Sequence, residues 1–380
     1  MSLPAQNSKF WIAEQSAKIG SGTFPPASPL SWKEFPAIRV AGGIQMDQQV
    51  MPLETGGPLS PTGMYKSGAT FEVGVEMVPR LKSSLGYILK AALGRVSSFT
   101  STNLAGATAG MSGAHSHWFR FNTDPAVTPW LSVRKFIEGS ADADDFAEVG
   151  YDCKVASMRF TVQAASKIAA QLAILGRQGI VARGLGAPTA TAWTTVAAAE
   201  DYLTSVETTN SVNSIAINGV SYPLVSMTVE LNNGLSSQQE EQTLGSLFMD
   251  DIVHKARVAT VRMVLKWNNS DLYQSLLTGA TSAGNSTLAV APFLMDTNTG
   301  YAFDASFKSS SFITGAIPYE IRMIGNRVVW AAQSPQLQPG NVVYQEFVGT
   351  FLAPNSSGSL AYKDDYFAIG ILNAVAAGTY

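Results

Sequence analysis

A period of two constrains this chain more than any other feature. In ATFEVGVEMV (69–78) the apolar Phe71, Val73, Val75 and Met77 alternate with Thr70, Glu72 and Glu76. In VASMRFTV (155–162), Ala156, Met158, Phe160 and Val162 alternate with Val155, Ser157, Arg159 and Thr161. YPLVSMTVELNN (222–233) sets Val225, Met227, Val229 and Leu231 against Ser226, Thr228, Glu230 and Asn232. RVATVRMVLKW (257–267) puts Ala259, Val261, Met263, Leu265 and Trp267 on one side. Successive side chains of an extended backbone point to opposite faces, so each stretch reads as a strand with one face on a core. The second stretch opens a hairpin. After Ala165 and Ser166 the chain is apolar again through Ile168, Leu172, Ile174 and Leu175, then reaches a stop at Gly176-Arg177. Further strands are expected from His117 to about Phe136 and over 287–295, 316–332 and 342–352. The fold class is mainly β.

Helical spacing occurs twice, each time just after a strand. LKSSLGYILKAALG places Leu81, Leu85, Ile88, Leu89 and Ala92 on one face, with Gly94 as a stop. In NNSDLYQSLLTG, Ser270 or Asp271 can cap a short helix carrying Leu272, Leu276 and Leu277, closed by Gly279. The pair ATFEVGVEMV and LGYILKAALG thus matches the pair ATVRMVLKW and DLYQSLLTG, and VASMRFTV resembles LVSMTVEL. The economical reading is two related β-sandwich or half-barrel units, each with a short flanking α-helix. Leu85, Ile88 and Leu89 would pack on the first sheet, and Leu272 and Leu276 on the second. The units are expected at 46–183 and 201–380, joined by the linker-like GLGAPTATAWTTVAAAE at 184–200. Pro25, Pro26, Pro29 and Pro36 make residues 1–45 an irregular extension, either an arm on a neighbour or an edge strand. Residues 97–114, small and polar, read as a loop.

Hydrophobic residues make up 46% of the 380, enough for a sizeable core, but only 14% are charged. Soluble proteins usually carry roughly 25%. The deficit suits a surface covered by other subunits, or one coated with neutral Gly, Ser, Thr and Ala. A net charge of −3 offers no basic field to hold nucleic acid. The single Cys153 excludes an intramolecular disulfide framework. The opening residues lack a basic stretch followed by an apolar one, so no secretory signal is expected. No apolar run reaches the ~18 residues of a membrane helix.

Chemistry is equally sparse. His115 and His117 would share a strand face without a third metal ligand. GMSGA around Ser112 falls short of G-x-S-x-G, and DADDFAE (142–148) lacks the glycine and glutamate of a calcium loop. Asp152 beside Cys153 raises a thiol pKa rather than lowering it. The expectation is no catalytic residue, no cofactor and no metal: not an enzyme.

With these segments laid out, the chain resembles the major tail tube proteins of long-tailed (siphovirus-type) bacteriophages, from roughly Glu54 to Leu372. Three segments carry the resemblance: SGATFEVGVEMV running into LGYILKAALG; YDCKVASMRFTVQAASKIAAQLAILGR; and INGVSYPLVSMTVELNNGL leading to ARVATVRMVLKWNNSDLYQSLLTG. The middle one follows the family's Tyr-x-Cys/Gly-Lys-Val-x-Ser, two long strands and a Gly-Arg stop, at Tyr151 to Arg177. The extension to Phe35 and the stretch 97–114 depart from the family pattern.

The resemblance implies a structural virion protein whose sheets join those of neighbouring copies into a continuous barrel. Rings of the barrel would stack into a tube for DNA ejection. Implied partners are further copies of the chain, a tape measure protein, tail terminator and tip proteins, and double-stranded DNA passing without specific binding; no membrane is involved. Its place would be the virion tail, after synthesis in the host bacterial cytoplasm. If each half supplies one unit, three chains close a pseudo-sixfold ring; one unit spread over the whole chain would give a hexamer. Glu72, Glu76, Thr228 and Glu230 are the lumen-facing candidates, because a wall with few free cations does not hold phosphates. Those faces could instead meet solvent or a neighbouring ring. Another virion protein, a capsid or decoration subunit, would share the low charge and the β content. A carbohydrate-binding sandwich would set aromatics beside acids, whereas Trp118, Trp130, Trp193 and Trp330 are scattered. An outer-membrane barrel would need an export signal.

Overall fold

The structure is a computed structural model that describes residues 8–19, 30–51, 63–100, 104, 113–121, 128–139, 144–183, 202–208, 214–267, 272–273, 276, 300–315, 317–332, 342–353 and 366–380. In the first half of the chain the strands are β1 (Ser8–Gln15), β2 (Lys33–Phe35), β3 (Ala37–Val50), β4 (Met64–Met77), β5 (Gly94–Thr100), β6 (His115–Phe121), β7 (Trp130–Ile137), β8 (Phe146–Gln163) and β9 (Ala169–Arg183). In the second half they are β10 (Ser214–Ile217), β11 (Val220–Ser221), β12 (Leu224–Asn232), β13 (Val258–Lys266), β14 (Tyr301–Thr314), β15 (Ile317–Ala332), β16 (Tyr344–Phe351) and β17 (Phe367–Asn373). Where the sequence alternates, the expected face turns inward. Phe71, Val73, Val75 and Met77 are buried, as are Met227, Val229 and Leu231 of β12 and Ala259, Val261, Met263 and Leu265 of β13.

Every ladder is antiparallel, and the two halves follow one plan. The first half runs β3–β4–β9–β8–β7–β1–β2 across its sheet. The second runs β12–β13–β16–β15–β14–β10–β11. Strands at the same place in the two orders also come in the same order along the chain. One difference stands out: β9 pairs along nearly the whole of β8, whereas the corresponding edge of β15 is shared by β16 and β17.

Two further ladders join the halves. Beyond the stretch that pairs with β7, β8 offers Ser157–Gln163 to β12, and β6 pairs with β17 over Phe367–Asn373. The look-alike segments VASMRFTV and LVSMTVEL are therefore ladder partners, with Met158 opposite Leu231 and Val162 opposite Met227. Their likeness reflects a shared two-faced environment and not equivalent places in the two orders. The main core ignores the division of the chain: Phe71, Phe160 and Leu172 belong to the same buried cluster as Val229, Met263, Phe303 and Phe347. Burying a side chain of that size stabilises by roughly 1.5–3 kcal/mol, so the halves support each other.

The helix α1 (Ser84–Leu93) ends at Gly94, whose φ of 99° suits glycine and whose N–H donates to the Lys90 carbonyl. Leu85, Ile88 and Leu89 are buried in the main core, where α1 packs on β5, β6 and β8. In the second half Leu272, Tyr273 and Leu276 are helical, and Leu272 and Leu276 are buried in the same cluster.

Several expectations change. Ser8–Gln15 pairs along the whole of β7, so this part of the extension is a strand of the chain's own sheet. Residues expected to be loop from 97 begin as the end of β5, which pairs with β6. β14 is not among the expected strands, although its Tyr301, Phe303, Ala305 and Phe307 alternate with Ala302, Asp304, Ser306 and Lys308; β17, buried on both faces, shows no alternation. In β8 a bulge between Val155 and Ser157 turns Val155 inward in place of Ala156. Gly176 does not stop β9. A Cβ there would lie 2.7 Å from the Cys153 sulfur, so the glycine serves close packing while the strand continues to Arg183. The expected strand at 287–295, the linker at 184–200 and Ser112 lie outside the described residues.

Candidate functional site

The face opposite the core is continuous across eight strands. One row of residues crosses it: Arg39, Glu76, Gln171, Arg159, Glu230, Thr260, Thr350 and Val329, on β3, β4, β9, β8, β12, β13, β16 and β15 in turn. A second row runs through Ala169, Thr161, Thr228, Arg262 and Val348. Glu72 stands between Gly43 and Leu175 on the same side. All four candidate residues, Glu72, Glu76, Thr228 and Glu230, thus project from one face, and the β8–β12 ladder makes that face common to both halves. Arg39, Glu76, Gln171, Arg159 and Glu230 line a shallow open depression at its middle.

Strand by strand the glutamates look acidic; across strands they are matched. Glu76 is opposite Arg39, Glu230 is opposite Arg159, and Gln171 donates to Glu76 at 3.3 Å. Arg262 grips Glu346 with both Nε, at 2.6 Å, and Nη2, at 2.9 Å. Among the described residues, the carboxylates Glu72, Glu76, Glu230 and Glu346 share this face with cations that include Arg39, Arg159, Arg262 and Lys266. Facing opposite charges contribute roughly 0.2–1 kcal/mol each in a sheet. Their larger effect is on the field: the wall is polar and close to neutral. Sequence reading found the acids and missed the register that brings the arginines beside them.

Behind this face a buried ionic cluster fixes the β8–β9 hairpin. Arg177 reaches Asp152 Oδ2 through Nη2 (2.8 Å) and Nε (3.1 Å), with both side chains almost wholly buried. Gln15 and the backbone N–H of Ile19 donate to Asp152 Oδ1 at 3.0 and 2.7 Å, and Arg177 also donates to the Met249 carbonyl at 3.3 Å. Removing one partner would strand a buried charge; Asp152 itself is left-handed, with a φ of 51°. The cluster ties β1, β8, β9 and the β12–β13 connection into one piece.

The remaining chemistry-bearing residues are held in structural roles. Burial, and then Asp152, push the Cys153 thiol well above its usual range. His117 accepts from Ser98 Oγ at Nδ1 (2.8 Å) and donates from Nε2 to the Val375 carbonyl (3.0 Å). The His115 and His117 rings are 6.4 Å apart, and among the described residues no group of three His, Cys, Asp or Glu side chains could hold a metal ion. Asp145 accepts from the Gly139 N–H and Glu148 pairs with Lys135, so these acids of the 142–148 segment are turned to local partners. No described helix is long and apolar enough to cross a membrane.

A search of curated proteins finds no match. Comparison with protein-family models matches residues 5–320 to the family described as phage tail tube protein. That span takes in β1 to β14, including the β8–β12 ladder and the matched-charge face. The chain belongs to the phage tail tube protein family.

Proposed function

We propose that this structural protein of the phage tail is the subunit of the tube itself, and that the matched-charge face lines the bore. The observation that carries the reading is the eight-strand face, largely polar, with its glutamates set opposite arginines. DNA binding strengthens with each phosphate that a protein cation neutralises. An arginine already facing a glutamate offers little to a passing phosphate, so DNA can slide by without being held. Catalysis has no part in this role.

The shared strand order of the halves supports two tube units per chain, a first that takes in β1 to β9 and so begins ahead of the expected residue 46, and a second over β10 to β17, with the β8–β12 ladder as the seam between them. Three chains would then close a ring with pseudo-sixfold symmetry, and rings would stack into the tube. Tape measure, terminator and tip proteins are the further partners expected of such a tube. Electron microscopy of the purified protein and of virions tests the reading. Rings of three chains with Glu76 and Glu230 on the inner wall are expected. Six chains per ring would overturn the stoichiometry, and those glutamates on the outer wall would overturn the lining. A chain that stays monomeric at high concentration and is absent from tail tubes would overturn the function.

A further inference from the structure

We infer that the outer edge of β3 over Ala41–Asp47, together with the outer edge of β9 beyond Gly176, receives strands from the second half of another copy of this chain. The two internal seams are the pattern for this junction. The inference rests on the tube reading above and assigns the surface through which that tube closes.

ATFEV in β4 and ATVRM in β13 align residue for residue, which makes Thr70 the counterpart of Thr260 and Glu72 the counterpart of Arg262. Thr70 is opposite Gln45 and Glu72 opposite Gly43 on β3; Thr260 is opposite Glu230 and Arg262 opposite Thr228 on β12. Gly43 therefore stands where Thr228 stands. The far edge of β12 is taken by β8 over Ser226–Asn232. The same stretch on β3 is Ala41–Asp47, and among the described residues the only ladder of β3 is the one to β4.

The second edge follows the same logic. β17 sits on β15 as the end of β9 sits on β8, and the far edge of β17 is taken by β6. The ladder of β9 to β4 ends at Gly176, leaving Gly179–Arg183 laddered to β8 alone among the described residues. In both seams the donor lies in the first half and the acceptor in the second. Between copies the acceptor edges lie in the first half, so the donor is the second half of the next copy. Such a contact joins unlike surfaces, head to tail, and closes into a ring when the rotation between copies allows.

The β3 edge has little of the usual protection of a strand that stays single, although Lys135 Nζ donates to the Gly42 carbonyl at 2.7 Å. Edge strands that stay single are usually short, or carry lysine, proline or inward charges. β3 runs for 14 residues without lysine or proline and exposes Ile38 (69%) and Met46 (52%).

Hydrogen exchange on the unmodified protein tests this. Amides in 41–47 and 178–183 are expected to exchange at least ten-fold more slowly in assembled tubes than in dissociated chains, while those in 226–232 are slow in both. Equal exchange of 41–47 in the two forms, with tubes present, would overturn the inference and leave the tube reading standing. Failure of the unmodified protein to form tubes would instead overturn that reading.

The adjacent variants Gln45→Pro and Met46→Pro provide a second arm, since neighbouring strand residues direct their N–H groups to opposite edges. One of the two removes an outer-edge donor yet keeps the chain's other end able to bind. Mixed at one part in three with unmodified chain, it should leave about (2/3)³, or about 30%, of three-chain rings intact. Undiminished ring formation with both folded variants would overturn the inference.

Discussion

β3 and β12 hold the same place in the two strand orders, yet one is an edge and the other is interior. β12 is laddered on both sides, by β13 and β8, and its outward residues Thr228 and Glu230 continue a face that crosses the molecule. β3 is laddered to β4 alone among the described residues and carries exposed apolar side chains along its length. The same kind of strand is thus shown once with its neighbour and once without. The difference teaches that such a strand is not defined by its own sequence: at β12 the neighbouring unit of the same chain completes it, and at β3 the inference above assigns that place to another copy.

The comparison breaks most severely at the joined seam. Phe160 lies fully buried on β8 opposite Val229. Phe160→Ala should cost about 3–5 kcal/mol, and the loss should appear in one cooperative thermal transition. Two transitions by calorimetry, with only one shifted, would mean that the halves fold separately despite the seam. The helices sharpen the likeness of the halves. Leu89→Ala and Leu276→Ala should each cost about 2–5 kcal/mol in denaturant unfolding, since both side chains sit in the common core. A cost near zero at Leu276 would deny the second helix the role that the first one has.

Protonation tests the two sides of the molecule together. Burial above all lowers the pKa of His117 to about 4, with the Val375 carbonyl opposing; burial, and then Lys154, lower that of His254 to about 4. Both groups are depressed below the unfolded value of about 6.5. Their stabilising effect is therefore complete above pH 6.5 and declines as the pH falls from 6.5 through 4. The melting temperature should drop over that window, and a flat profile would contradict it.

Surface changes should have the smallest effect on the folded chain and the clearest effect on assembly and transit. Ile38→Lys on the open edge should alter monomer stability by no more than about 0.5 kcal/mol while reducing tube yield in sedimentation. Glu72→Lys with Glu76→Lys should leave tubes intact but turn a balanced face basic. Genome release should then slow most at low salt, where screening is weakest. Unchanged release kinetics would remove these glutamates from the bore.

Much of the local structure was legible because burial writes itself into alternation. Phe71, Val73, Val75 and Met77, or Ala259, Val261, Met263 and Leu265, can be assigned to a core from their spacing alone. The helix carrying Leu85, Ile88 and Leu89 was legible for the same reason at a different period. β17 was not, since a strand buried on both sides, FAIGILN, has no polar phase to read. β1 was hidden by the prolines that follow it. The left-handed Asp152 and the inward Arg177 were hidden because a buried ion pair depends on partners far away in sequence: Gln15, Ile19 and Met249.

By itself the sequence determined which side of each strand meets the core, because that choice is made residue by residue through the cost of burying polar groups. Only the tertiary structure decided who stands beside whom. Arg159 against Glu230, Arg39 against Glu76 and Arg262 gripping Glu346 all come from register between separate strands. Register follows from the packing of the whole sheet and has no local signature. The same holds for the edges: β12 reads as a strand and most of β3 falls in the stretch read as an irregular extension, yet the two take the same place in their sheets, and only the ladders around them set one in the interior and left the other open.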